Sequence, residues 1–185
     1  MKKNSLLLMA TLLATFFVFS ISAVSAAPKS SGAITCVLDI TFDNYADGSY
    51  WLGTVEGDEC EVAGSIEFRS VPDEYACPGN TIHFVETFII TPMDEGGGPD
   101  GTIEGKNWGV WNLHNGKFRA QGWVTAASEN WAHLIGSQYH ELGTTSTTDL
   151  TVRPITALGS SMKLTPGNRS HNDLTKMTPP LPCFA

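Results

Sequence analysis

Basic residues are scarce in this sequence. It holds 11 lysines and arginines against 19 aspartates and glutamates, which gives a formal net charge of −8. Proteins that bind nucleic acids or anionic membrane surfaces depend on patches of lysine and arginine. The acidic balance therefore argues against both kinds of partner. It says nothing about the oligomeric state.

Motifs for common enzyme chemistry are missing as well. The chain has no G-x-S-x-G nucleophile motif, and the segment GGGPDG lacks the Lys-Ser or Lys-Thr that completes a phosphate-binding loop. The four cysteines form no C-x-x-C pair, and His133, His140 and Glu141 follow no common metal-ligand spacing. We therefore expect no metal and no cofactor, and no motif supports an enzymatic activity.

Long apolar runs are confined to the N-terminus. Lys2 and Lys3 precede an almost wholly apolar segment at 6–19, and small residues follow up to Ala27. This order is typical of a secretory signal peptide. An uncleaved membrane anchor is the alternative, but the run is shorter than the roughly 20 residues of a spanning helix. We expect residues 1–27 to be removed, leaving 158 residues, a net charge of −10 and no membrane attachment.

The cysteines are few but even in number, and all four lie beyond the predicted signal peptide. In an oxidising compartment an even count favours two disulfides, for which three pairings are possible. We expect Cys36 to pair with Cys60, because both lie on early segments that should be neighbours in a sheet. Cys77 would then pair with Cys183 and tie down the C-terminal tail.

Helical periodicity is nearly absent, and alternation with a period of two dominates. It is clearest at 35–42 (TCVLDITF), and it recurs in segments up to two expected strands near 137–144 and 149–157. Only SENWAHLIG, at 128–136, looks helical. Inward glycines on nearly every strand favour a curved sheet. We predict an all-β domain at 28–165, a single antiparallel β-barrel of about eight strands with one short helix, and an extended tail at 166–185. A β-sandwich is the alternative.

The segment WGVWNLHNGKFRAQGWV, at 108–124, predicts a β-hairpin. Asn115-Gly116 suits a two-residue turn, because both residues tolerate positive φ angles. Counting back from that turn places Trp111 opposite Ala120 and Trp108 opposite Trp123. Packing within the sheet is the expected role of these tryptophans, and contact with a ligand is the alternative.

Polar residues on inward strand faces are the main indication of a site. Glu86 interrupts an apolar face, and burying its carboxylate unpaired would be costly. Asn107 falls on the inward face of the hairpin. In a later strand either Gln138 and His140 or Tyr139 and Glu141 should face inward. The candidate ligand-binding residues are Glu86, Asn107, Trp111, His140 and Glu141; a satisfied core network is the alternative.

One segment carries a family resemblance. The stretch 101–143 shows Gly-x-Phe-x-x-x-Gly at Gly116, Phe118 and Gly122, with later glycines at Gly136 and Gly143. In this strand-turn-strand rhythm it resembles the eight-stranded barrels of allene-oxide-cyclase-like and dirigent-like proteins. The resemblance covers about a quarter of the chain and implies a barrel fold. In the cyclases the barrel holds a lipid-derived substrate with a few polar groups, for which Glu86 and Asn107 are the nearest candidates.

Three functions are compatible with these observations. The first is a secreted barrel that binds a small apolar molecule or an extracellular partner. The second is an isomerase or cyclase that acts in the barrel lumen, as the resemblance implies. The third is a carbohydrate-binding module, suggested by the tryptophans. A deep cavity lined by Glu86 and Asn107 would favour the first two, whereas a filled lumen and a row of exposed aromatics would favour the third.

Overall fold

The computed structural model describes residues 32–43, 51–70, 75–77 and 80–167. In these ranges the chain forms nine β-strands and one short 3-10 helix between the last two hairpins. The strands are β1 (Ile34–Phe42), β2 (Trp51–Glu56), β3 (Gly64–Ser70), β4 (Tyr75–Cys77), β5 (Thr81–Pro92), β6 (Ile103–Asn112), β7 (Lys117–Ala127), β8 (Gln138–Thr145) and β9 (Ile155–Thr165).

Eight of these strands close into an antiparallel barrel. They follow the order β3-β2-β1-β9-β8-β7-β6-β5, and β3 pairs with β5 to complete the ring. The short β4 is an addition to this ring and pairs with the first residues of β5. The predicted all-β barrel is confirmed, and the sandwich alternative is wrong, because the pairing of β3 with β5 joins the two ends of the sheet.

Alternation decides which side chains fill the lumen. Along β1 every second residue from Ile34 to Ile40 is buried, and the residues between them are exposed. The same alternation buries Val62 before β3 and Ile66 and Phe68 within it, as the sequence predicts. On β5 it turns Glu86 inward together with Phe88 and Ile90. Side chains of a strand point alternately to its two faces, so the inner face of each strand lines the barrel.

The 3-10 helix marks one end of the barrel. It spans Glu129–Leu134 between β7 and β8, and it buries Trp131 and Leu134. The indole Nε1 of Trp131 donates a hydrogen bond of 2.7 Å to the carbonyl oxygen of Asp100, which holds the helix against the loop before β6. The predicted short helix is confirmed. We call this the helix end of the barrel.

A disulfide lies at the same end. Cys36 of β1 is bonded to Cys60, in the turn between β2 and β3, and their Cα atoms are 5.0 Å apart. The predicted Cys36–Cys60 pair is thus confirmed. Cys183 and the side chain of Cys77 fall outside the described residues, so the second pair stays a prediction.

The hairpin of β6 and β7 forms, but the predicted register is wrong by two residues. Trp111 faces Phe118 rather than Ala120, and Trp108 faces Gln121 rather than Trp123. The cause is the connection, which spans the four residues 113–116 instead of Asn115-Gly116 alone. A shift of two preserves the side-chain parity, so the predicted inward residues from Gly105 to Trp111 and from Phe118 to Val124 still face inward. Beyond a bulge between Glu104 and Gly105 the shift is one residue, and Ala126, predicted to face inward, is exposed.

The start of the last strand was also predicted wrongly. Residues 149–154 form a turn, and β9 runs from Ile155 to Thr165. The carboxylate of Asp149 accepts hydrogen bonds from both the backbone nitrogen and the hydroxyl of Thr151, at 2.9 and 2.7 Å. Such a local side-chain bond competes with strand pairing.

Two predicted segments fall beyond the described part of the chain. These are the signal peptide at 1–27 and the tail, apart from its first two residues. Among the described residues, no helix combines the length and the apolar character needed to cross a bilayer.

Candidate functional site

A cavity of about 190 Å³ occupies the barrel at the end opposite the helix. We call this the cavity end; it is where β1, β3 and β6 finish and where β2, β5 and β7 begin. Half of the twelve residues that line the cavity are aromatic, namely Phe42, Trp51, Phe68, Phe84, Trp111 and Phe118. An engineered apolar cavity of about 150 Å³ is large enough for benzene. The space in this barrel therefore suits a ligand of one aromatic ring.

The rings have room because small residues lie beside them. Phe84 of β5 is directly opposite Gly109 of β6. A Cβ added at Gly109 would lie 2.4 Å from the ring of Phe84 and 2.4 Å from the carbonyl oxygen of Arg119. A larger residue at this position would therefore displace the ring or the neighbouring strand.

Trp51 is the centre of the aromatic cluster. Its ring centroid lies 5.1 Å from that of Phe42, 6.1 Å from that of Trp111 and 6.3 Å from that of Phe118. The indole Nε1 of Trp111 donates to the hydroxyl of Thr145 at 3.2 Å. Edge-to-face and tilted contacts at such distances are favourable, so the rings hold one another in place around the cavity.

Two carboxyl groups are part of the cavity lining. Glu86 comes from β5 and is 5% exposed; Glu141 comes from β8 and is 6% exposed. Both are inward because of the strand alternation that also buries their aromatic neighbours. The cavity is thus apolar around its sides and acidic at these two positions.

Tyr139 interacts with both carboxyl groups. Its hydroxyl donates a hydrogen bond of 2.8 Å to Oε2 of Glu141. Burial, the charge of Glu141 and the hydrogen bond to it raise the pKa of Tyr139 well above its ordinary value, and the charge of Glu86 adds to the rise. Tyr139 therefore stays protonated at neutral pH and remains a donor.

The protonation of Glu141 is set mainly by burial. Loss of hydration raises its pKa from 4.5 to about 7, and the hydrogen bond from Tyr139 opposes part of this rise. Near neutral pH the group is therefore close to half protonated. It can either accept or donate a proton there, which few carboxyl groups can do.

Asn107 lies beside this cluster. It is fully buried, and in the strand register it is opposite Glu86 on one side and Gly122 on the other. Within the described part of the chain, neither its amide nitrogen nor its amide oxygen has a hydrogen-bond partner. A buried amide without partners is costly, so a water molecule or a ligand group is expected to meet it.

The structure brings together four of the five residues that the sequence singles out. Glu86, Trp111 and Glu141 line the cavity, and Asn107 adjoins it through its pairing with Glu86. His140 does not join them. It is exposed on the outer face of the barrel, opposite Gln121 and Lys163, because Tyr139 and Glu141 take the inward positions of β8.

Several residues of the site are not identified from the sequence. Phe84 and Phe118 are not among the candidate residues, and Arg153 belongs to a segment that we predict as strand. The guanidinium of Arg153 lies 4.6 Å from the ring centroid of Phe42. It also donates to the backbone carbonyl oxygens of Leu150 and Val152. Tyr139 is missed as well, because the sequence leaves open which alternate residues of β8 face inward.

Three tryptophans lie outside the cavity, and two of them form a pair. Trp108 and Trp123 are on the outer face, half-buried, with ring centroids 4.6 Å apart. They contact each other diagonally rather than as directly opposite residues. They form a single pair, not a row of exposed aromatics along the sheet.

No metal site is evident in the described ranges, where no three histidine, cysteine, aspartate or glutamate residues come together to hold an ion. Comparison of the chain with protein-family models, with curated proteins and with solved structures finds no match.

Proposed function

We propose that this is an exported β-barrel protein whose lumen binds a small, largely apolar molecule. The observation that carries the proposal is the cavity of about 190 Å³ at one end of an otherwise filled barrel. Ligand sites are usually apolar concavities with a few convergent polar groups. Six aromatic rings and the two carboxyl groups of Glu86 and Glu141 fit that description.

The proposed export follows from the signal-like N-terminus and is supported by the Cys36–Cys60 disulfide, which is typical of oxidising compartments. Mass spectrometry of the exported protein should show the loss of residues 1–27. The mass of the unreduced protein should also lack four hydrogens relative to the all-thiol form, as two disulfides require.

Cavity binding can be tested with toluene as the probe. We expect toluene to raise the melting temperature, since a ligand that binds only the folded state stabilises it. Ile82→Trp should remove this effect, because Ile82 lines the cavity and a larger side chain there occupies it. Ile135→Trp is the matched control, as Ile135 is exposed near the helix end. Equal stabilisation of both variants by toluene would contradict binding in the lumen.

A carbohydrate-binding module has less support. The lumen is not filled at the cavity end, and Trp51 and Trp111 line its interior instead of an outer surface. Trp108 and Trp123 are the only tryptophans on the outer face of the described barrel, and they pack on each other.

An isomerase is the second candidate, and Glu141 favours it. A carboxyl group with a pKa of about 7 in an apolar cavity suits general acid-base catalysis near neutral pH. Such an enzyme should speed hydrogen-deuterium exchange next to the carbonyl group of a small ketone such as phenylacetone. Glu141→Gln should abolish that acceleration but retain toluene binding. Identical exchange with and without the protein would leave binding as the only function.

A further inference from the structure

The polar groups of the cavity indicate the kind of ligand it takes. Glu86 and Glu141 both line the cavity and both are more than nine-tenths buried. An ionised carboxylate only accepts hydrogen bonds. Two carboxyl groups facing the same apolar space therefore favour a ligand that brings hydrogen-bond donors, and a positive charge would be the best complement.

The buried amide of Asn107 gives separate support for a ligand that donates hydrogen bonds. Its buried amide has no partner within the described ranges, although it is opposite Glu86 in the register. Its carbonyl oxygen is a third acceptor at this level of the lumen. Tyr139 does not act as a donor to Asn107, because its single hydroxyl proton is given to Oε2 of Glu141.

The aromatic walls of the cavity also favour a positively charged ligand. Ring faces attract cations, most strongly those of tryptophan, and cages of aromatic rings are a known means of holding an ammonium group. The ring of Trp51 contacts both Trp111 and Phe118 beside the cavity. Arg153 is the one basic residue in the described lining, and it is held at the rim against Phe42 and against backbone carbonyls.

We propose that the cavity binds a small primary amine, with its ammonium group at Glu86, Glu141 and Asn107 and its apolar body among the aromatic rings. This inference rests on the proposed binding in the lumen and names the class of ligand. Benzylamine is the simplest molecule of this class, since it combines one ring with one ammonium group. The acidic net charge of the chain also attracts cations over anions.

Binding of the amine should also change the protonation of Glu141. Burial leaves Glu141 with a pKa of about 7, so near neutral pH a cation that binds beside the group displaces its proton. The charged or titratable groups that face it are Glu86 from β5, Tyr139 from its own strand and Arg153 from the loop before β9. Neighbouring β7 and β9 contribute Ala120 and Met162 opposite Glu141, which do not titrate.

Affinity for the amine should therefore rise with pH. At pH 6 about one tenth of Glu141 is ionised, and at pH 8 about nine tenths, so the affinity should increase roughly tenfold between these values. Benzyl alcohol, which has the same shape without the charge, should show no such increase.

The experiment is calorimetric titration of the purified, oxidised protein with benzylamine, benzyl alcohol, toluene and benzoate at pH 6 and pH 8. We expect benzylamine to bind at least about tenfold more tightly than benzyl alcohol at pH 8, and benzoate to bind weakest. Benzylamine binding at pH 6, where Glu141 is mostly protonated, should release protons. Glu141→Gln and Glu86→Gln should lose this preference and still bind toluene. Glu104→Gln, which changes an exposed carboxylate on the outer face of β6, should behave like the unchanged protein.

Two outcomes would overturn the proposal, and they are distinguishable. If toluene or benzyl alcohol binds in the cavity and benzylamine binds no better at either pH, the amine assignment is wrong while the lumen remains a binding site. If none of the four molecules binds, both the amine assignment and the proposed binding function are wrong. Should a glutamine variant fail to fold, the pH profile and proton release of the unchanged protein still decide between these outcomes.

Discussion

The two ends of the barrel are built from the same strands but filled in different ways. At the helix end, Val62, Ile90, Ile103 and Val124 are all fully buried, and the Cys36–Cys60 disulfide and the 3-10 helix lie over them. At the cavity end the inward residues are mostly aromatic. Some of them, such as Phe84, are only half-buried around an open volume of about 190 Å³.

A polar level separates these two regions. Glu86, Asn107, Tyr139 and Glu141 face inward between the aliphatic side chains of the helix end and the rings of the cavity end. Filling one end with aliphatic residues and a covalent link stabilises the barrel, which allows the other end to keep a cavity at a cost in stability. We therefore expect the helix end to supply most of the stability and the cavity end to be where the proposed ligand binds.

The difference in packing between the two ends can be tested most directly by making the same isoleucine-to-alanine substitution at each end of β5. Ile90 is fully buried at the helix end, whereas Ile82 lines the cavity on the same strand face. Ile90→Ala should lower the free energy of unfolding by about 4 kcal/mol, since it opens a new cavity in a packed core. Ile82→Ala should cost about 1 kcal/mol, because its surroundings are already open. Urea denaturation measures both, and equal losses would refute the difference in packing.

Removing the disulfide should have the next largest effect. Cys36 and Cys60 are 24 residues apart, and cross-linking a loop of that length contributes about 3 kcal/mol through the unfolded state. The double variant Cys36→Ala, Cys60→Ala should lose about this much stability in the same denaturation assay. Because the bond lies at the helix end, toluene binding at temperatures where the variant is folded should not change. A loss of toluene binding by the folded variant would show that the two ends are coupled.

The buried carboxyl group should make stability depend on pH. Glu141 has a pKa of about 7 in the folded protein against 4.5 without burial, so between these values the folded state holds the proton more tightly. Its contribution therefore becomes more unfavourable as pH rises from 4.5 through 7, by about 3 kcal/mol in all. Glu141→Gln removes this dependence. Its stability relative to the unchanged protein should rise across this range and stay level above pH 8.

Glu104→Gln is the control for that experiment, because Glu104 is exposed. Its stability relative to the unchanged protein should stay nearly constant between pH 4.5 and pH 8. If the Glu141→Gln difference were equally flat, Glu141 would not be buried in its charged form.

A smaller loss of stability is expected for a substitution at Gly122, which lies beside the polar residues of the lumen. A Cβ at Gly122 would lie 2.0 Å from the carbonyl oxygen of Lys106 and 2.6 Å from the Cα of Asn107. Gly122→Val should therefore lower the free energy of unfolding by about 2 kcal/mol through overpacking. Thr125→Val, on the same strand at a half-buried position, is the control and should change little. Equal denaturation midpoints of these two variants would contradict the register of β6 and β7.

Alternation alone predicts much of the fold and part of the site. The pattern around Glu86 and Asn107 fixes their inward direction without knowledge of their partners, and the even cysteine count with early sheet neighbours predicts Cys36–Cys60. Parity survives a register shift of two residues. The hairpin is wrong by two residues, yet Trp111 still faces inward, since only an odd shift would reverse it.

The sequence could not decide the orientation of β8. One set of alternate residues contains Tyr139 and Glu141, and the other contains His140 and Leu142, so each offers one large apolar and one polar side chain. The barrel resolves this in favour of Tyr139, which stacks on Phe88 with ring centroids 4.5 Å apart, and leaves Leu142 59% exposed. That choice depends on contacts between distant strands, which local periodicity does not contain.

The central claim is that the cavity end binds a ligand while the helix end only stabilises the barrel. Titration of protein with 13C-labelled isoleucine methyl groups, using benzylamine at pH 8 and two-dimensional NMR, tests it most directly. Ile40 and Ile82 line the cavity, whereas Ile90 and Ile103 are buried at the helix end. We expect the methyl signals of Ile40 and Ile82 to shift with saturation while those of Ile90 and Ile103 stay in place. Unchanged signals from Ile40 and Ile82 at high benzylamine concentration, and again when toluene is the titrant, would contradict the account.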